Sequence, residues 1–198
     1  MLNNVQQFNI NGADVYVAQF DRSAELQPVL PAARQRFIEQ CDDPLHRSQR
    51  YFAWLLLDYA LKQRCGKGVK ELDFDLDGNG KWSCNGGVSF SLSHSGNVVA
   101  VAVAERPVGI DVERLDKQRF NSRLADRILT ESERKLYEAL PSERRPKALT
   151  EMWTKKESLF KRSGGKTFTP KQVDTTANKS YCQEVEFDNE QYVVAVSV

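Results

Sequence analysis

The sequence predicts an α+β fold made of two similar halves, and three observations predict it. Each half carries a long helix-like stretch that is stopped by glycine. Each half also carries a Val/Ala-rich strand at a hairpin: residues 98–104 in the first, 193–196 in the second. No low-complexity tract or long linker separates the halves, so one compact body with units 1–105 and 106–198 is expected. At 198 residues the chain is long enough to bury a substantial core.

Taken in order, residues 8–20 alternate enough to form a first strand, centred on Asp14-Val15-Tyr16-Val17-Ala18. Residues 28–40 read as a helix that breaks at Asp42-Asp43-Pro44. A longer helix over 45–64 presents Phe52, Leu55, Leu56, Tyr59 and Ala60 on one face and stops at Cys65-Gly66-Lys67-Gly68. Gly86-Gly87 opens a strand over 88–93, and Ser95-Gly96-Asn97 turns it into the strand 98–104. Glu105-Arg106-Pro107 then leads into a strand over 109–113. The second half places helices at 120–128, 132–140 and 145–161, a break at Gly164-Gly165, and closing strands at 185–187 and 192–198.

Composition excludes more than it assigns. Lys+Arg number 28 against 27 Asp+Glu, a net charge of +1, so no global field points to nucleic acid or a membrane. The apolar runs 52–57 and 98–104 are too short to span a bilayer. The N-terminus lacks the basic start and apolar core of a signal peptide. Cys41, Cys65, Cys84 and Cys182 form no Cys-x-x-Cys pair, which argues against a zinc site and fits the reduced thiols of a cytoplasmic protein.

The chemistry concentrates in Gly109-Ile110-Asp111-Val112-Glu113 and in Trp153-Thr154-Lys155-Lys156-Glu157-Ser158-Leu159-Phe160-Lys161. Side chains alternate along a strand, so Asp111 and Glu113 point the same way and repel unless a cation joins them. Trp153, Glu157 and Lys161 are spaced four apart and share a helix face. Laying that helix on the strand makes a three-carboxylate magnesium site with a lysine beside it. Each motif also has a plainer reading. Asp-x-Glu alone is an exposed strand end, and Glu157 with Lys161 alone is a surface ion pair worth about 0.3–0.5 kcal/mol. Trp153 reads as core, and Lys156, on another face, reads equally as a solvated side chain.

Together with Ser91-Leu92-Ser93-His94-Ser95, Gly80-Lys81-Trp82 and the basic pair Arg47 and Arg50, these segments stand in the order and spacing of one family. The chain resembles the 4′-phosphopantetheinyl transferase superfamily of the pseudo-dimeric, surfactin-synthetase-activating type. Trp82 stands where that family has proline. The resemblance implies transfer of 4′-phosphopantetheine from coenzyme A to a serine of an acyl or peptidyl carrier protein, by a cytoplasmic monomer. It implies Mg²⁺ on Asp111, Glu113 and Glu157, with Glu113 bound directly or through water. Glu157 is ligand or base, and Lys161 is a donor to the α-phosphate; Glu157, Lys161 and Asp111 form the catalytic set. Coenzyme A lies along Arg50, Lys81, Ser93, His94 and Lys161 in this reading, with Ser93 and His94 on the 3′-phosphate and Arg47 as the alternative to Arg50. Unit 1–105 then faces the 3′-phosphate and adenine, and unit 106–198 carries the metal and the catalytic helix. Carrier selectivity is assigned to loops 117–123 and 142–147.

Three other readings are weighed. A Ser-His-Asp hydrolase fails because adjacent Ser93 and His94 face opposite ways on a strand and no Gly-x-Ser-x-Gly elbow exists. Asp73-x-Asp75-x-Asp77-Gly78 opens like a calcium loop, but the twelfth position is Cys84 rather than glutamate. A non-catalytic carrier-protein or coenzyme A-binding module is the remaining alternative.

Overall fold

In the computed structural model, which describes residues 1–198, Asn11-Gly12 folds the chain into a hairpin before any helix forms. Both residues take positive φ, 56° and 88°, as a tight hairpin turn demands. The single strand expected over 8–20 is therefore two: β1 (Leu2–Ile10) and β2 (Ala13–Phe20), paired antiparallel. Helix α1 (Ala32–Glu39) starts behind Pro31, later than expected. Helix α2 (Pro44–Cys65) begins with proline in its first turn, and the Asp43 side chain accepts the His46 N–H at 2.9 Å. It ends at Gly66 in the left-handed region. The acidic stretch from Asp73 lies in a small hairpin, β3 (Phe74–Leu76) with β4 (Trp82–Cys84).

Strands β5 (Ser89–Ser95) and β6 (Val98–Ala104) complete a four-stranded antiparallel sheet in the order β1-β2-β6-β5. A second sheet holds β7 (Gly109–Arg114), β8 (Tyr181–Phe187) and β9 (Glu190–Ser197) in the order β7-β9-β8. Between them lie α3 (Ser122–Ile128), α4 (Glu131–Glu138) and α5 (Arg145–Ser163). A mixed α+β fold is what results.

The two sheets pack through one face each: Val15, Val17, Ala100 and Ala102 meet Ile110, Val112, Val194 and Val196. The opposite face of the first sheet receives α2 through Trp54, Leu57 and Leu61 against Val99, Val101 and Val103. Strands β6 and β9 alternate between these surfaces, which is why their sequences are nearly continuous apolar runs.

Strands β5 and β7 are the facing edges of the two sheets, and they do not pair backbone to backbone. Ser89, Ser91, Ser93 and Ser95 accept the N–H groups of Val108, Ile110, Val112 and Arg114 at 3.3, 3.1, 3.2 and 3.1 Å. Every second residue of β5 thus lends a hydroxyl to the open edge of β7.

Candidate active site

Gly109 decides how closely α5 can approach β7. A Cβ there would stand 1.9 Å from the Ser158 carbonyl oxygen and 2.5 Å from the Arg162 nitrogen. With no side chain at that point, the helix backbone settles onto the strand. Asp111 and Glu113 follow at two-residue spacing on the same side, and the four-residue spacing of α5 sets Trp153, Glu157 and Lys161 around them. One cleft is lined by all five, together with Arg34, Arg50, Ser93, His94 and Arg119.

Asp111 is buried. Its Oδ1 takes the Lys161 ammonium at 2.7 Å and the Ser93 hydroxyl at 2.7 Å, while Oδ2 is buried without a partner. The Glu157–Lys161 surface pair is not formed; the lysine crosses from helix to strand instead. Glu113 is differently placed. Arg119 donates to both of its oxygens, at 2.6 and 2.7 Å, the Trp153 indole donates at 3.0 Å and Ser95 at 3.1 Å. Burial and the neighbouring Asp111 still raise the Glu113 carboxyl above its usual range, with Arg119 opposing them. Glu157 is pushed up to about 7, by burial first and then by Asp111.

No three His, Cys, Asp or Glu side chains come close enough together to hold a metal ion. The three carboxylates expected from the sequence line one cleft without forming a tight cluster, because Glu113 has both oxygens engaged by Arg119, Trp153 and Ser95. The bare Asp111 Oδ2 and the destabilised charge of Glu157 nonetheless suit a hard cation, since magnesium commonly takes one or two carboxylates and completes its shell with water and phosphate oxygens.

The basic wall comes from α1 and α2. Arg50 lies over the Phe37 ring at 5.1 Å. Arg34, absent from the sequence-based set, is buried with its guanidinium 5.0 Å from the Phe37 and Trp54 ring centres and 5.7 Å from Trp82. Its Nε has no partner, neither arginine has a carboxylate, and burial followed by the Arg50 charge lowers it to about 10. His94 lies on the opposite face of β5 from Ser93, its ring 6.4 Å from that of His46. Part of His94 reaches solvent, yet desolvation in the cleft, then Lys161, His46 and Arg50, push its imidazole down to about 4, so it is neutral at pH 7.

Three other residues are not where the sequence suggested. Lys81 lines an adjoining pocket with Trp82, Phe90, Leu92 and Phe160, and its ammonium donates to the Lys161 and Arg162 carbonyls at 3.0 and 3.3 Å. Arg47 points away, to the Cys41 carbonyl at 2.9 and 2.7 Å. Lys156 is fully buried rather than solvated, 2.7 Å from Glu133 and bonded to the Pro170 and Val173 carbonyls. Trp153 is half-buried and belongs to the site, packed edge-on to Phe168. Residues of the two candidate selectivity loops, among them Lys117, Gln118, Glu143 and Lys147, line one groove of their own.

Residues 107–197 match the 4′-phosphopantetheinyl transferase superfamily. The chain is 32% identical over 129 residues to the 4′-phosphopantetheinyl transferase AcpT of Salmonella typhi, covering 64% of this chain and 66% of that protein. It is 30% identical over 112 residues to psf-1 of Bacillus pumilus, covering 56% and 47% respectively. HetI of Nostoc is 34% identical over 100 residues, 48% of this chain and 42% of the relative. The chain thus spans between about two-fifths and two-thirds of these relatives' length.

Proposed function

We propose, on the premise that this chain belongs to the 4′-phosphopantetheinyl transferase superfamily, that it moves phosphopantetheine from coenzyme A to a carrier-protein serine. The supporting observation is a single cleft that joins unpaired Arg34 and Arg50 to the Asp111–Lys161–Glu157 group. Such a wall and floor suit a molecule with a phosphomonoester at one end and a pyrophosphate further along.

Arg34, Arg50 and His94 receive the 3′-phosphate. Lys81 lines the channel beside Lys161, holding the last carbonyls of α5. Asp111, through its free Oδ2, and Glu157 hold magnesium, and Glu113 stands behind them through water. A magnesium ion held there would neutralise charge on the pyrophosphate. The carrier serine Oγ bonds to the β-phosphorus and the bond from that phosphorus to the bridging oxygen breaks. The bridging oxygen keeps the electron pair and departs on 3′,5′-adenosine bisphosphate, met by the Lys161 ammonium. Glu157 accepts the serine proton, directly or through water; its carboxyl, raised to about 7, suits a base. Metal binding lowers that value, so ligand and base are competing duties of one residue.

Two similar halves, 1–105 and 106–198, frame the cleft. Supporting a pseudo-two-fold relation, β2, α2, β5 and β6 run in the same order as β7, α5, β8 and β9, and both sheets place the second hairpin strand beside the first strand. With both halves in one chain, a monomer suffices. The carrier docks at the cleft mouth, in a cytoplasmic setting; no helix is long and apolar enough to cross a membrane.

Intact-mass analysis of an apo carrier incubated with the protein, coenzyme A and magnesium tests this. The expected result is a gain of one phosphopantetheinyl group, lost with EDTA and with Asp111→Asn. Tight coenzyme A binding with no transfer to several carriers would overturn it in favour of a binding module.

A further inference from the structure

The serine row of β5 does more than close an edge. A hydroxyl has one proton to give and two lone pairs to fill. Ser93 Oγ accepts the Val112 N–H at 3.2 Å and the Lys161 ammonium at 3.1 Å, and gives its proton to Asp111 Oδ1 at 2.7 Å. Ser95 Oγ accepts the Arg114 N–H at 3.1 Å and gives its proton to Glu113 Oε2 at 3.1 Å. The same bridge occurs twice, two residues apart: each hydroxyl spans a backbone N–H of β7 and the carboxylate one residue before it.

We infer that Ser93 and Ser95 are positioning residues for Asp111 and Glu113, and that Ser93 takes no part in holding the 3′-phosphate; this rests on the transferase reading. Three observations carry it. Ser93 has its full hydrogen-bonding capacity in use and is only 6% exposed. A phosphate reaching its hydroxyl would be set against the Asp111 carboxylate, whereas His94 projects from the other face beside His46 and Arg50. And with Oδ1 held by Ser93 and Lys161, the Asp111 carboxylate is turned so that Oδ2 alone remains for a cation. The spacing of the serines along β5 thereby sets the spacing of the carboxylates along β7.

The test compares coenzyme A with 3′-dephospho-coenzyme A. By calorimetry, Ser93→Ala should keep the wild-type affinity ratio between the two within about twofold, while His94→Ala should lower it by about tenfold or more. In turnover, Ser93→Ala should lose about 10- to 100-fold in kcat with little change in the KM for coenzyme A, and Ser93→Thr should restore it. A Ser93→Ala ratio that collapses like that of His94→Ala overturns the inference, as does a loss confined to KM. Amide hydrogen exchange separates this from failure of the transferase reading. Even in a protein that transfers nothing, Ser93→Ala should speed exchange at Val112, and Ser95→Ala at Arg114, by about tenfold or more. Unchanged exchange in both variants sinks the bridge itself.

Discussion

Helices α2 and α5 each come before the hairpin that completes their sheet, yet they are built on opposite terms. The buried residues of α2 include Tyr51, Phe52, Trp54, Leu56, Leu57 and Leu61. Those of α5 include Thr150, Thr154, Lys156 and Ser158, with only Leu149 and Leu159 as large apolar members. Polar side chains fill the buried face of α5: Thr154 donates back to the Thr150 carbonyl of its own helix at 2.7 Å, and Ser158 ties the helix to Ser180 and Ser197 at 2.9 and 2.8 Å. Lys156 reaches Glu133, which also caps its own helix through Thr130. Burial works against both charges. It lowers Lys156 from the ordinary ammonium range, but at Glu133 the donors from Lys156, Thr175 and Thr130 outweigh it and hold the carboxyl low. The helix that brings Glu157 and Lys161 to the cleft is fixed by directional bonds, and the helix that brings Arg50 is fixed by apolar bulk. Directional bonds specify an orientation, which a site built on carboxylate geometry requires.

The hardest blow to this contrast is Gly109→Ala. A methyl 1.9 Å from the Ser158 carbonyl forces α5 off β7, and a loss above about 4 kcal/mol in urea unfolding is expected. A loss below about 1 kcal/mol would mean the helix floats on the strand. Next comes Lys156→Met, which leaves Glu133 charged and buried. It should cost about 3–5 kcal/mol by denaturant midpoint, and adding Glu133→Leu should recover most of it. Failure of the second change to rescue would place the cost in the partners left behind, the Pro170 and Val173 carbonyls and the Thr130 and Thr175 N–H groups.

A matched pair sharpens the comparison directly. Leu57→Ala in α2 should cost about 2–5 kcal/mol, and Thr154→Ala in α5 no more than about 1. Equal losses would erase the distinction between the helices. A subtler effect, visible only against pH, is a signature at Glu157. Its folded carboxyl binds a proton up to about 7 against an ordinary 4.5, so the folded chain holds a proton that the unfolded chain has released. Stability from this group is therefore greatest below pH 4.5 and falls as pH rises toward 7. In EDTA, Glu157→Gln should be more stable than wild type by about 1–3 kcal/mol at pH 8, with the gap closing near pH 4. A gap independent of pH would assign the effect to packing.

The same contrast explains what was legible in the sequence. The apolar runs of α2, β6 and β9 read directly, because bulk burial leaves a periodic trace; β6 falls where expected, at Val98–Ala104. Gly109, Asp111 and Glu157 were found through spacing and family pattern. Lys156 was not, since its partner Glu133 sits on another helix and nothing local announces it. Arg34 escaped because its role depends on three aromatic rings drawn from α1, α2 and β4. Trp153 was taken for core because its indole N–H finds Glu113 only after folding. The Asn11-Gly12 turn and the alternate serines of β5 were readable by period alone, and both lie in plain sequence.

Those serines carry one last consequence. An uncovered strand edge is a template on which a second chain can add itself, and proteins protect such edges with charge, proline, bulges or a covering element. Here β5 and β7 turn their edges toward each other, and hydroxyls fill a gap that main-chain pairing does not. Neither edge is left for a stranger. The polar crevice that these edges frame is, by the same arrangement, closed to the growth of aggregates.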